Sequence, residues 1–384
     1  LVVLALLAGL ALLVVGGESL VRGAGSLARK LGMSSLVVGL TVVSFTTSAP
    51  ELAVSTDAAL SGYPGLAVGN VVGSNIANIL LVLGASALFV PLAVNSQVVR
   101  ADIPVMAGLS VLVLLMALDG SLGRFEGAVL LAALVAYVTV TVLVSRRRAA
   151  GGPASQTDAD GTGPDADADS GTDGPGRAAA RPRPLLMDVA LVVLGAALLV
   201  VGARLLVYGA SAIASALGVS DLLVGLTVVA VGTSLPELVT SVVAVMRGER
   251  DMAVGNIVGS NVFNIGAVLG LTAIISPEGI AVAPAALRFD LPIMVAVSLV
   301  LLPIALTRLD VARWEGALLV GFYAAYLAYL VVEATEHAAL GPFSAAMLWF
   351  VIPLTVVWLL SVTVHELRTR RRGGRAGSTH SERV

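Results

Sequence analysis

The chain has 384 residues, 57% hydrophobic and 12% charged, with a mean hydropathy of +0.97. A soluble domain of that length does not carry such a balance, whereas a polytopic membrane protein does. The absence of cysteine excludes disulfides, thiolate metal sites and cysteine nucleophiles, and the formal net charge of −2 says less than the way the charges are distributed.

At roughly 20 apolar residues per membrane helix, eleven spans are expected. They lie near 1–21, 35–60, 65–90, 102–118, 126–145, 185–208, 222–246, 252–275, 290–306, 314–332 and 344–364. Between the fifth and sixth, residues 146–184 form a polar Gly/Pro/Asp-rich linker whose composition predicts disorder. The linker is acidic from Asp158 to Asp173, and Lys30 is the only lysine in the chain. That pattern suits a halophilic prokaryote, because salt screens charge repulsion; a GC-rich genome also favours Arg over Lys.

The spans are written twice. Gly39-Leu40-Thr41-Val42-Val43 leads to Thr47-Ser48-Ala49-Pro50-Glu51, and Gly225-Leu226-Thr227-Val228-Val229 leads to Thr233-Ser234-Leu235-Pro236-Glu237. At the same spacing, Gly69-Asn70, Gly73-Ser74-Asn75 and Asn78 match Gly255-Asn256, Gly259-Ser260-Asn261 and Asn264. From Gly16 to Gly84 the second copy follows without a gap, 186 residues later. Farther on, Arg100, Asp102 and Pro104 match Arg288, Asp290 and Pro292, and Tyr137 matches Tyr326. Five spans thus repeat as five, an odd number, so the second copy enters the membrane in the opposite sense. The expected architecture is an all-α polytopic membrane protein. Ten helices form two inverted five-helix repeats (1–145, with its motif at 39–84; 185–335, with its motif at 225–270). An extra helix and a basic tail follow in 336–384, and the extra helix suits packing or dimer contact better than transport. With the N-terminus outside, nearly all arginine clusters, the linker and the C-terminus fall on the cytoplasmic side, as the positive-inside rule requires.

Each copy buries a glutamate in an apolar span, which is costly and marks an ion or substrate site. Pro50 and Pro236 remove a backbone donor from their helices and release upstream carbonyls. At membrane depth such backbone persists only where something else satisfies it. Glu51 and Glu237, with Thr47, Ser48, Thr233 and Ser234, therefore suggest an oxygen-only cage with two negative charges. Calcium, which takes six to eight oxygens, and sodium fit it; transition metals, which prefer imidazole or thiolate, do not. Ser74 with Asn78, and Ser260 with Asn264, each share one helix face. Asn70 and Asn75 suit bracing of the broken helices, and Gly69, Gly73, Gly255 and Gly259 allow close helix approach. Glu18 suits a pair with Arg22, and Asp102 and Asp290 read as helix-start structure.

These paired blocks resemble the repeats of the calcium/cation antiporter superfamily, particularly its prokaryotic sodium/calcium exchanger branch, over roughly residues 1–335. The resemblance implies ten core helices, with spans one and six sliding as a gate against the other eight, and calcium and sodium competing for one central site. It implies that Glu51 and Glu237 bind calcium, that Thr47 and Thr233 lend carbonyls, that Ser48, Ser234, Ser74 and Ser260 complete flanking sodium sites, and that Asn78 supplies an amide. Asn264 stands where the family often carries Asp, leaving two carboxylates instead of three; the other departure is Ser44-Phe45-Thr46 against Ala230-Val231-Gly232.

The expected function is sodium/calcium antiport across the cell membrane. A proton-coupled exchanger for calcium or another divalent cation is the alternative. A channel needs a continuous pore, which fits broken inverted repeats less well. No nucleotide loop or catalytic constellation supports an enzyme. No cofactor and no nucleic-acid partner are expected; the partners are the two ions and the bilayer, with oligomeric state left open.

Overall fold

The computed structural model describes residues 2–150, 184–219, 224, 227–228, 230–306, 309–335 and 341. The linker beyond residue 150, most of the opening of the seventh span, the eleventh span and the basic tail lie outside the described residues.

Nine helices among the described residues are long and apolar enough to cross a bilayer. They are α1 (Val2–Leu31), α2 (Ser35–Leu60), α3 (Gly65–Phe89), α4 (Val98–Asp119), α5 (Arg124–Ala150), α6 (Leu185–Ala216), α8 (Arg250–Ile275), α9 (Ala286–Ala305) and α10 (Arg313–Ala334). Between α6 and α8 lies α7 (Leu235–Met246), apolar but shorter, with the turn Ala230–Thr233 leading into it. The chain is a polytopic helical membrane protein, with α3 and α8 its most enclosed helices.

Several helices outrun the expected spans. α1 and α6 continue to the glycines Gly32 and Gly218, which stand at matching positions and both take positive φ, 63° and 81°. Only there does the backbone leave the helical region, since the intervening Ala, Leu, Ser and Arg are compatible with a helix. α5 likewise carries Arg146 and Arg147 as helix, so residues 146–150 are not part of a disordered linker; arginine is a good helix former and nothing there breaks the ladder.

The fold is also not purely helical. Four two-residue strands, β1 (Leu92–Ala93), β2 (Ser121–Leu122), β3 (Ile280–Ala281) and β4 (Asp310–Val311), form two antiparallel pairs, β1 with β4 and β2 with β3. Two residues are too few for an alternating pattern to be read from sequence.

These pairs show how the halves are related. β1 and β3 are counterparts, as are β2 and β4, so each pairing turns into the other when the halves are exchanged. Other contacts obey the same exchange. Tyr137 donates to Asp102 at 2.9 Å and Tyr326 to Asp290 at 3.0 Å. Arg124 reaches the Pro277 carbonyl and Arg313 the Phe89 carbonyl. Ser110 and Ser298, counterparts of one another, meet at 3.1 Å.

The counterpart helices α1 and α6 pack directly on each other, and they run antiparallel. A Cβ on Gly9 would meet the Gly202 carbonyl at 2.9 Å, one on Gly16 the Gly195 carbonyl at 2.9 Å, and one on Gly23 the Asp188 carbonyl at 2.8 Å. Glycine every seventh residue on both helices thus brings two backbones into contact. Antiparallel packing of equivalent helices is the mark of an inverted repeat. Asp188 is fully buried in this seam, accepting from Ser26 at 2.9 Å and pairing with Lys30.

Candidate cation site

α2 is not one continuous helix. It opens as Ser35–Val38, widens to a π-helical turn at Gly39–Val43, returns to α at Ser44–Thr47, and restarts as Ala49–Leu60 after a break at Ser48. Pro50, in the first turn of the restarted helix, has no N–H to offer the carbonyl of Thr46 four residues back. The same break falls at Ser234, with Pro236 in the first turn of α7. Glu51 and Glu237 each occupy that first turn, where the unpaired N–H groups and helix dipole favour negative charge.

The second motif sits on α3 and α8. Asn78 and Asn264 each open a π-helical turn, Asn78–Leu83 and Asn264–Leu269, a distortion common at functional sites. The Asn264 turn packs against the half-helix that begins near Glu51, and the Asn78 turn packs against α7, which carries Glu237. Each carboxylate-bearing half-helix therefore faces the Asn-bearing turn of the other repeat.

Glu51, Glu237, Thr47, Ser48, Ser74, Asn78, Ser234, Ser260 and Asn264 are all 3% exposed or less, and Thr233 is half-buried. Buried polar groups ordinarily find partners, but here most do not. Both carboxylate oxygens of Glu51 and of Glu237, the hydroxyls of Ser48, Ser74 and Ser234, and both amide atoms of Asn78 and Asn264 have no hydrogen-bond partner among the described residues. The two carboxylates are close enough to repel one another, and no ion pair among the described residues reaches either. Two like charges in a low-dielectric interior without a basic partner are strongly unfavourable. A desolvated cation that collects carboxylate, hydroxyl and amide oxygens supplies what these oxygens lack. The donors are hard, with no imidazole, and no group of three acidic or histidine ligands occurs among the described residues. That chemistry suits calcium or sodium and not a transition metal.

Two members of the expected set are engaged elsewhere. The Thr47 hydroxyl lies 3.2 Å from Asn256 Oδ1 and 3.2 Å from the Ser260 hydroxyl. Its side chain thus joins the repeats, which leaves its carbonyl as the group to offer an ion. Asn70 braces the restarted helix, donating to the Glu51 carbonyl at 3.3 Å and to Ser55 at 2.9 Å, whereas Asn75 donates to the Asn261 carbonyl on α8 at 3.4 Å; Asn256, the counterpart of Asn70, donates to Ser241 at 3.1 Å. Ser55 and Ser241 were not singled out in the sequence, although they too are duplicated 186 residues apart. The glycines divide. Gly255 and Gly259 lie against α2, a Cβ on Gly255 meeting the Leu36 carbonyl at 2.6 Å and one on Gly259 the Leu40 carbonyl at 2.7 Å. Gly69 and Gly73 have no described atom within 4 Å of a Cβ, and the residues matching those over Gly255, Leu222, Gly225 and Leu226, lie outside the described residues. Glu18 does pair with Arg22, at 2.5 Å, and also with Arg247.

The broken paired helices, the exchange symmetry and the enclosed oxygen donors are those of an ion carrier of the antiporter type. The family model described as "Sodium/calcium exchanger protein" matches residues 1–143 and 187–332, and the chain belongs to that family. It is 40% identical over 322 residues to the putative antiporter CaxA of Alkalimonas amylolytica, covering 83% of this chain and 95% of that protein. It is 35% identical over 350 residues to the sodium/calcium exchanger MaX1 of Methanosarcina acetivorans, covering 85% and 97%. Among solved structures, the sodium-calcium exchanger NCX_Mj soaked without sodium and calcium superposes with a TM-score of 0.70 at 30% identity, covering 85% of this chain and 98% of that one.

Proposed function

We propose that this protein expels calcium in exchange for sodium, by alternating access around one central site built on Glu51 and Glu237. The observation that carries the reading is the pair of buried carboxylates whose four oxygens find no hydrogen-bond partner among the described residues. Calcium bound between them neutralises both charges at once, and sodium bound at the same oxygens displaces it. Ser48, Ser74, Ser234 and Ser260 flank the carboxylates and suit sodium, while Asn78, Asn264 and the carbonyls of Thr47 and Thr233 complete the calcium shell. The names of MaX1 and NCX_Mj as sodium/calcium exchangers support this choice of ions.

The two functional units are the repeats 1–145 and 185–335, oriented with the N-terminus outside and the arginine-rich ends in the cytoplasm of a prokaryotic cell. α1 and α6 form the moving element, exposing the site first to one side and then to the other.

Radioactive calcium uptake into proteoliposomes tests this, with an outward sodium gradient, an outward proton gradient, or no gradient. Sodium-driven uptake that is lost in Glu51→Gln and Glu237→Gln is the expected result. Uptake driven by protons alone moves the protein to proton coupling, with the same carboxylates carrying the proton. Uptake indifferent to both glutamates overturns the site.

A further inference from the structure

The repeats are unequal where they should open. On α8, Met252 is fully buried and Gly255 lies under the opening half-helix of α2. Their counterparts on α3 are uncovered: Leu66 is 65% exposed and Gly69 is exposed. The face of α8 toward the 247–249 turn is therefore shut, whereas at the equivalent place on α3 Leu66 is exposed and the residues matching the cover of Gly255, Leu222, Gly225 and Leu226, lie outside the described residues.

Two features hold the shut face, and neither has a counterpart in the other repeat. The first is Ser44, fully buried, whose hydroxyl lies 2.7 Å from the Gly39 carbonyl on its own π-helical turn and 3.0 Å from the Asn256 carbonyl on α8. The matching position is Ala230, which has no hydroxyl. The second is a set of charges joining α1 to the turn between α7 and α8. Arg247 forks onto Glu18, with Nε to Oε2 at 2.5 Å. In the same turn Glu249 accepts from Ser35 at 2.7 Å and lies 3.8 Å from Arg29. The residues matching Arg247 and Glu249 are Ser61 and Tyr63, and the residue matching Glu18 is Arg204. The inverted copy therefore cannot build the same clasp.

We propose that Ser44 is a positioning residue and Glu18–Arg247 a clasp that together hold this exchanger shut on the side of residues 247–249. This rests on the alternating-access reading above. Movement of α1 against the core stretches Glu18 away from Arg247, and release of the half-helix Ser44–Thr47 from α8 breaks the Ser44 bridge. The two sides of the carrier consequently open with different ease, although the ion ligands themselves are duplicated.

The natural chain contains no cysteine, so single-cysteine reporters can be placed at the counterpart positions Leu66→Cys and Met252→Cys in the full chain. Both are labelled with a water-soluble methanethiosulfonate in membranes, and sodium-driven calcium flux is measured in parallel. The Leu66→Cys reporter is expected to react quickly and the Met252→Cys reporter slowly. Adding Ser44→Ala speeds the Met252→Cys reporter about fivefold, the population shift given by one buried hydrogen bond, and leaves the Leu66→Cys reporter unaccelerated. Glu18→Gln and Arg247→Gln each speed it as well, and the double substitution adds nothing beyond either single one, as a direct pair requires. Flux persists in all three variants. Loss of flux with both reporters fast marks an unfolded variant, and the remaining variants then decide. A Met252→Cys rate unchanged by every one of these substitutions, or additive effects at 18 and 247, overturns the proposal while leaving the exchanger reading intact if flux is normal. Absence of gradient-driven flux in the parent overturns the exchanger reading itself.

Discussion

The seam between α1 and α6 and the centre formed by α2, α3, α7 and α8 both bury acid, yet they treat it in opposite ways. In the seam, Asp188 is surrounded by Ser26 and Lys30, and glycine lets two backbones close over it. In the centre, all four oxygens of Glu51 and Glu237 are without a hydrogen-bond partner among the described residues. The same chain thus supplies a buried carboxylate with a fixed counter-charge in one place and withholds it in another. A permanent lysine or arginine at the centre would satisfy the glutamates but leave nothing for an ion to do; an exchangeable site has to remain incomplete in protein atoms alone.

The sharpest way to break this contrast is to remove charge at the centre. Glu51→Gln or Glu237→Gln abolishes gradient-driven calcium flux. In cation-free buffer the same substitution stabilises the fold by about 1–2 kcal/mol, because it removes an uncompensated buried charge. Calcium at about 100 times its dissociation constant adds about 2.7 kcal/mol to the parent and far less to either variant, read as thermal unfolding with and without the ion. A drop in cation-free stability for both variants would falsify the idea that these carboxylates are under-compensated.

In the seam the expectations reverse: stability falls, and transport falls only as far as folded protein is lost. Gly195→Val costs about 3 kcal/mol, the upper range for overpacking, because even its Cβ would sit 2.6 Å from the Leu20 nitrogen and 2.7 Å from the Gly16 carbonyl. Asp188→Asn costs about 2 kcal/mol, less than a fully buried pair because Lys30 keeps some solvent contact; calcium affinity of the surviving folded protein is unchanged. The smallest effect comes from the duplicated tyrosines. Tyr137→Phe costs about 1 kcal/mol by removing the hydrogen bond to buried Asp102, and Tyr326→Phe costs less because Asp290 is only half-buried. Equal losses for the two in a thermal scan count against the burial argument.

Much of this was legible in the sequence. The offset that aligns Glu51 with Glu237 also aligns Gly32 with Gly218 and Asn78 with Asn264, so the inverted repeat and the candidate ion ligands follow from one comparison. The packing was less legible. Gly9, Gly16 and Gly23 recur every seventh residue, as do Gly195, Gly202 and Gly209, but a glycine spacing does not say which helix lies opposite. Gly255 lies against the backbone of α2, a contact that the motif spacing alone does not reveal. The four strands escaped because their partners sit in the other half of the chain. Ser44 stood out only as a departure from the repeat; that its hydroxyl spans to α8 depends on the π-helical turn that precedes it.

The reciprocal strand pairings bear on the order in which the protein can be made. β1 and β2 leave the ribosome with the first repeat, but their partners β4 and β3 belong to the second. The newly inserted first half therefore has two open strand edges, and its α1 seam and the Asn256-bearing face for α2 are still to come. Each strand pair and the α1–α6 seam is completed only by the second repeat, so the last of these contacts forms after translation of β4. An inverted duplication that began as two separate chains would meet the same requirement, with each copy completing the other's edges.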